Sequence, residues 1–261
     1  MNPSLQQLLQ RSDVWRQRDR HPVSNIARYK STGSVDLDRA LNGGWPRSAL
    51  TELLIAHGGI GELSLLMPLL TELSRQSQLQ VWINPPFIPY APALVQRGIT
   101  LNSLLIVRGE SQHHLWACEQ ALRSSGCGAV LYWPARALRY PELRKLQVAA
   151  ATQHAMGFLF RDFQASNQPS PAVLRLQLNA IDTAAESQLT IRIVKQRGSS
   201  SGQIITLPRE TYLRPTRPFT HYPSSQRNTT TIATQKRDIA PQRVAMHSLL
   251  SIETSSSAAT Q

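Results

Sequence analysis

Ala49-Leu50-Thr51-Glu52-Leu53-Leu54-Ile55-Ala56-His57-Gly58-Gly59-Ile60-Gly61-Glu62-Leu63 is the stretch on which the fold turns. The apolar run Ala49–Ile55 suits a buried strand, the glycines a tight turn, and the leucines beyond them one face of a helix. A phosphate-binding loop of the G-x-x-x-x-G-K-[ST] kind would sit in this place. Such a loop needs backbone N–H groups around the phosphates, a lysine on their outer oxygens and a hydroxyl on magnesium. Here Ala56 replaces the first glycine, Glu62 the lysine and Leu63 the hydroxyl. A carboxylate would meet the triphosphate where an ammonium should, and like charges at contact distance repel. The octet Ala56, His57, Gly58, Gly59, Ile60, Gly61, Glu62 and Leu63 therefore reads as a degenerate nucleotide site, with no nucleotide binding expected and function to be sought in binding to other molecules. Two plainer readings stay open. Gly58, Gly59 and Gly61 serve equally as a strand-to-helix turn, and Glu62 equally complements a helix dipole. A helix N-terminus also attracts anions without any lysine.

Outward from this stretch, the pattern predicts a helix over Glu62–Gln76, interrupted by Pro68. Strands are expected at Leu79–Ile83, Leu104–Val107, Ala129–Trp133 and Met156–Phe160, with helices at Pro89–Arg97, Gln112–Ser124 and Pro141–His154. Short apolar strands alternating with helices call for an α/β fold with a central, mainly parallel sheet covered on both faces. After Phe160 the period changes. Leu174, Leu176 and Leu178, then Leu189, Ile191 and Ile193, alternate as in half-exposed strands, and Gly198–Gly202 reverses the chain into Gln203–Leu207. This predicts a C-terminal β-hairpin extension. From Pro208 onward Pro, Ser, Thr and Gln accumulate, so a largely disordered basic tail is expected, with a short helix near Val244–Ile252. At the other end, Ser4-Leu5-Gln6-Gln7 has the form of a capped helix start with Leu5, Leu8 and Leu9 on one face, followed by a polar, basic linker to Lys30. The expected organisation is residues 1–30 as basic helix and linker, 31–208 as core and 209–261 as tail.

The formal net charge is +12. It points to nucleic acid, an anionic membrane surface or an acidic protein as partner. Each end carries a net +4, so the basicity is concentrated outside the core. Two cysteines, Cys118 and Cys127, make neither a disulfide framework nor a metal cluster, which suits a reducing cytoplasm. No apolar run spans a bilayer and no signal-peptide pattern opens the chain. His57 reads as an ordinary loop residue. His113 and His114, with no Cys or carboxylate cluster nearby, make a poor metal site. Trp82 and Trp133 read as core or rim aromatics, and Ser64 has no base placed by sequence. No metal, cofactor or catalytic residue is expected.

The lead-in Ser31-Thr32-Gly33-Ser34-Val35-Asp36-Leu37-Asp38-Arg39-Ala40-Leu41, followed by Gly43 to Glu52, resembles the start of the core of bacterial RecA-type recombinases. The similarity runs at the level of layout over roughly residues 25–208. Gly44-Trp45-Pro46-Arg47-Ser48-Ala49-Leu50-Thr51-Glu52-Leu53-Leu54, Gly59-Ile60-Gly61-Glu62-Leu63 and Pro89-Tyr90-Ala91-Pro92-Ala93-Leu94 resemble the ImuA family, RecA-related accessory proteins of a damage-induced, error-prone translesion polymerase system. Residues 64–178 are also similar to SulA, the SOS-induced division inhibitor of the tubulin-like division protein. The cues are Leu69-Leu70, Gln80-Val81-Trp82-Ile83, Ala121-Leu122-Arg123-Ser124 and Ala155-Met156-Gly157-Phe158. Gln78, Leu94 and Ser103 stand where that inhibitor carries basic and aromatic contact residues, a departure from its pattern.

The recombinase resemblance implies further parts to look for. Ile83-Asn84-Pro85-Pro86-Phe87 stands where an acidic residue would orient water, Ala129–Trp133 where an aspartate would reach magnesium, and Phe160-Arg161-Asp162 where a polar residue would sense the γ-phosphate. Lysine, hydroxyl, base and metal ligand are thus missing together, so ATP hydrolysis is not expected. The loop Arg161–Pro171 falls where recombinases carry a DNA-binding loop. The candidate contacts lie at the ends: Trp15, Arg16, Arg18 and Arg20, then Tyr212, Arg214, Arg217, Phe219 and Tyr222, which interleave arginines with aromatics. Such a segment serves single-stranded DNA, a protein partner or a solvated linker alike. By resemblance, the partners are translesion polymerase subunits and the recombinase, in the cytoplasm or at the nucleoid. A SulA-like division inhibitor, a DNA-dependent ATPase and a simple DNA-binding protein are the alternatives.

Overall fold

The computed structural model describes residues 28–182, 187–197 and 202–208. β1 (Tyr29–Lys30) pairs antiparallel with β2 (Trp45–Pro46), and α1 (Val35–Ala40) lies between them. Asp38 fixes this lead-in by accepting the Thr32 N–H at 2.7 Å and the Ser31 hydroxyl at 2.6 Å, and Ser34 caps α1. Gly44, at φ +110°, brings the backbone so close to Lys30 that a Cβ would stand 2.2 Å from its carbonyl oxygen.

The elements that follow are β3 (Ala49–Ile55), α2 (Glu62–Arg75), β4 (Leu79–Ile83), α3 (Ala91–Gln96), β5 (Leu104–Val107), α4 (Ser111–Arg123), β6 (Cys127–Tyr132), α5 (Tyr140–Gln153), β7 (Met156–Asp162), β8 (Leu174–Asp182), β9 (Ser187–Gln196) and β10 (Ile204–Pro208). Among the described residues they build one eight-stranded sheet, ordered β10-β9-β8-β3-β7-β6-β4-β5. Strands β3 to β8 pair parallel, and β9 and β10 add antiparallel, as the expected hairpin extension. β3 lies between two parallel neighbours and is buried along its length, which is why it reads as a largely apolar run broken only by Thr51 and Glu52.

Alternation along the inner strands sorts the core into two layers. Leu53, Trp82, Leu131 and Phe158 face α2, which contributes Leu65, Leu66, Leu69, Leu70 and Leu73 at helical spacing. Val81, Ile83, Val130 and Leu159 face α4 and α5, against Cys118, Leu122, Leu143 and Leu146. The alternating leucines and isoleucines of β8 and β9 join the α2 layer alone.

Four expectations need correction. α2 runs unbroken through Pro68, whose ring is exposed while the leucines on either side hold the helix to the sheet. The sixth strand starts at Cys127 rather than Ala129. Gly128 allows this, because a Cβ there would stand 2.8 Å from the Gln78 Oε1. β8 is not half-exposed at its start, since Arg175 and Gln177 are buried. Cover also lapses at the edge strand β5, where Leu105 and Ile106 are exposed.

Candidate functional site

Ala56, His57, Gly58 and Gly59 leave the end of β3 exposed, whereas Ile60 and Leu63 are half-buried against the core. Gly61 turns the chain into α2 at φ 99°, a left-handed conformation that glycine adopts without strain. The His57 Nδ1 lies 3.3 Å from the neighbouring Gly58 carbonyl oxygen, a contact local to the loop. Glu62 folds back over the turn, and its Oε1 accepts the Gly59 N–H at 2.9 Å. The carboxylate thus occupies a donor of the kind that a phosphate oxygen needs. A second negative charge brought within 4 Å would be opposed by roughly 4 kcal/mol at an effective dielectric of about 20.

Above Glu62 lies a cavity of about 280 Å³, walled by Trp82, Pro85, Pro86, Phe87 and Trp133 and floored by Gly59, Gly61 and Glu62. Trp133 stacks on Phe160 with centroids 4.2 Å apart, and Trp82 lies 6.3 Å from Trp133. Both tryptophans, read from sequence as core or rim, therefore form walls of this cavity as well. Asn84, at φ 53°, ties three strand ends together. Its N–H donates to the Val107 carbonyl and its Nδ2 to the Trp133 carbonyl at 2.8 Å, which leaves it a structural strut. In β6, Tyr132 faces the α4–α5 layer and no carboxylate reaches the cavity from this strand.

Sequence reasoning missed a buried ion cluster on β3, β7 and β8. The Glu52 Oε1 accepts from the Arg161 Nη1 at 3.1 Å and the Ser170 hydroxyl at 2.6 Å, and its Oε2 accepts from the Arg175 Nε at 2.7 Å. Arg175 also donates to the carbonyls of Ala165, Ser166 and Gln168. The segment that stands where recombinases carry a DNA-binding loop is thereby clamped to the sheet: Arg161 lies inside β7, and Phe163–Asn167 forms a short 3₁₀ turn held by Arg175. The signal was present, since a glutamate inside a largely apolar strand calls for hydrogen-bonding or charged partners.

His113 is exposed with its Nε2 3.8 Å from Glu110, while His114 is buried. Among the described residues no group of three or more His, Cys, Asp or Glu could hold a metal ion. Both cysteines are buried and free. Burial pushes both thiols up, that of Cys127 to about 12. Among the described residues no helix is long and apolar enough to cross a membrane. Leu94 and Ser103 are buried, the latter bonded to the Ser74 hydroxyl and the Thr100 carbonyl. Trp15, Arg16, Arg18, Arg20, Tyr212, Arg214, Arg217, Phe219 and Tyr222 lie outside the described residues.

A mainly parallel sheet with helices on both faces, a strand–turn–helix at its centre and an antiparallel extension defines an α/β protein of the RecA-like fold. The crystal structure of the RadB recombinase superposes on 70% of this chain and 96% of that one, with a TM-score of 0.54 at 14% identity. Residues 50–157 match the family of the cell division inhibitor SulA. Over 117 residues the chain is 28% identical to the cell division inhibitor SulA of Klebsiella aerogenes and 29% identical to that of Escherichia coli strain K12 / DH10B. Each alignment covers 44% of this chain and 69% of the relative. The match starts inside β3 and ends inside β7, so it takes in the degenerate loop and the cavity walls.

Proposed function

We propose that this chain is a non-catalytic accessory protein of SOS-induced, error-prone translesion DNA synthesis. It holds polymerase subunits, the recombinase or both through a RecA-like scaffold that has given up ATP hydrolysis. One observation carries the loss of hydrolysis: the Glu62 carboxylate sits on the Gly59 amide, where a working loop keeps its donors for phosphate. The absent hydroxyl at Leu63 and the structural role of Asn84 support it. The accessory role rests on the ImuA-like wording of residues 44–63 and 89–94. A recombinase-shaped surface without nucleotide cycling binds partners constitutively, because no ligand shifts its population between states. The test is recovery of the tagged full chain from DNA-damaged cells, with mass spectrometry of what it carries. Translesion polymerase or recombinase subunits are expected, and their absence would overturn the role. Phosphate release above background with magnesium, ATP and single-stranded DNA would overturn the loss of hydrolysis.

A second reading, a SulA-like division inhibitor, is favoured by the family match over residues 50–157. Against it, Leu94 and Ser103 are buried at two of the three positions matching that inhibitor's contacts. Filamentous cells on overexpression and co-sedimentation with the tubulin-like division protein would decide in its favour.

A further inference from the structure

The accessible lining of the cavity over the degenerate loop is made of rings: Pro86 and Phe87 are exposed, and Pro89 and Trp133 half-buried. Beside Phe87, which is 71% exposed, Ile88 and Tyr90 stand out at 78% and 71%. A cleft of proline and aromatic rings suits a polyproline II segment, which comes preformed and loses little entropy on docking. The sheet brings such a segment of this same chain within reach. β10 is antiparallel to β9 and β9 to β8, while β8 is parallel to β3, so β10 runs in the direction of β3. Pro208 therefore leaves the sheet at the carboxyl ends of the parallel strands, the rim on which the cavity opens. From β10 to β6 there are five strand intervals, about 24 Å at about 4.8 Å each. Pro215 and Pro218 lie seven and ten residues beyond Pro208, a reach of about 23 and 33 Å in extended chain. On the way stands the exposed Asp162, two residues beyond Phe160 and on the same face of β7.

We propose that Arg214-Pro215-Thr216-Arg217-Pro218-Phe219, a segment outside the described residues, occupies this cavity in its own molecule. With three residues per turn of polyproline II, Pro215 and Pro218 share one edge and meet the rings of Phe87 and Trp133. Arg214 and Arg217, also three apart, share another edge, where Asp162 supplies an opposite charge. Phe219 covers the apolar surface of Ile88 and Tyr90, which a solvated rim would otherwise leave bare. A proline-rich peptide of another protein fits the same rings, but it lacks the tether. A short linker gives the chain's own segment an effective concentration near millimolar, enough to fill a cleft too weak to hold a free peptide. The docked segment covers the mouth of the degenerate site, and any partner that needs either the cavity or these arginines must first displace it. The inference goes beyond the accessory role, and its failure would leave that role standing.

The test uses the full chain and a fluorescein-labelled peptide of residues 210–220, read by fluorescence anisotropy. In the full-chain double variant Pro215→Ala, Pro218→Ala the cavity is freed of its own segment, so the peptide is expected to bind saturably. Wild type is expected to bind the peptide about tenfold more weakly, because the tethered segment leaves only a small fraction of cavities open. Adding Phe87→Ala to the double variant is expected to weaken binding about fivefold or more. Phe87 is exposed, so the melting temperature is expected to stay at that of the double variant. A scrambled peptide of the same composition, without the three-residue proline spacing, is expected to bind about tenfold more weakly or worse. No saturable binding up to millimolar peptide, equal binding by wild type and the double variant, indifference to Phe87→Ala, or equal binding of the scrambled peptide would each overturn the proposal. Self-association of wild type that the double variant abolishes would also overturn it, since the occupant would then come from a second copy.

Discussion

Removing the charge of Glu52 leaves two guanidinium groups in the sheet with no anion. Its carboxylate is fully buried, and the side chains of Arg161 and Arg175 are only 4% and 5% exposed. Glu52→Gln preserves the shape and one acceptor oxygen, so its cost comes from uncompensated charge. Breaking a buried pair by removing one partner costs about 3–5 kcal/mol. A domain of this size loses roughly 2–4 °C of melting temperature per kcal/mol, which predicts a fall of about 6–20 °C. Circular dichroism melts of the full chain measure it directly. The triple variant Glu52→Leu, Arg161→Met, Arg175→Met sharpens the reasoning. It removes all three charges, but it also strips the donor from the carbonyls of Ala165, Ser166 and Gln168. It is therefore expected to regain only part of the loss, in contrast to ion clusters that apolar residues replace freely. A Glu52→Gln melt within about 2 °C of wild type, or a triple variant more stable than wild type, would refute the argument.

Three further outcomes follow from the same structure. The Arg136 guanidinium grips both oxygens of Glu142 and holds its carboxyl down at about 2, against an ordinary value of 4.5. The stability this contributes is fully present above pH 4.5 and lost as the pH falls toward 2. Glu142→Gln is thus expected to melt below wild type at neutral pH and alongside it near pH 2; an equal gap at both would refute the linkage. Cys118 and Cys127, buried and poor in thiolate, are expected to resist iodoacetamide in the native protein and to label fully in urea, and fast native labelling would contradict their burial. Gly44→Ala must both hold φ +110° and move the Lys30 carbonyl, whereas Gly59→Ala meets nothing within 4 Å at φ +88°. The second is expected to cost only the left-handed penalty of about 1–2 kcal/mol. The first should cost more by urea titration, and equal costs would remove the close approach from the account.

Local pattern carried most of the architecture. β3 and α2 were legible because one is a largely apolar run and the other places leucines three and four residues apart. The start of β6 was not, because what licenses Gly128 there is Gln78, fifty residues away in sequence. The degenerate loop was readable as a list of missing groups. What Glu62 does instead depends on its side chain turning back onto Gly59, which no spacing rule encodes. The cavity needs residues 62, 82, 87 and 133 to converge, and that convergence belongs to strand order. Glu52 was visible as an oddity in an apolar strand, yet naming Arg161 and Arg175 as its partners required knowing that β7 and β8 flank β3.

The bare flank at β5 has a consequence for how the molecule keeps its own company. Leu105 and Ile106 point to opposite sides of an edge that is unpaired among the described residues, and Arg108, two residues on, is drawn to the Pro85 carbonyl. A net charge of +12 makes two copies of this protein repel one another at low salt. That repulsion shortens its range as salt is added, so strand-to-strand association at this edge is expected to rise with ionic strength, which light scattering over a salt series measures.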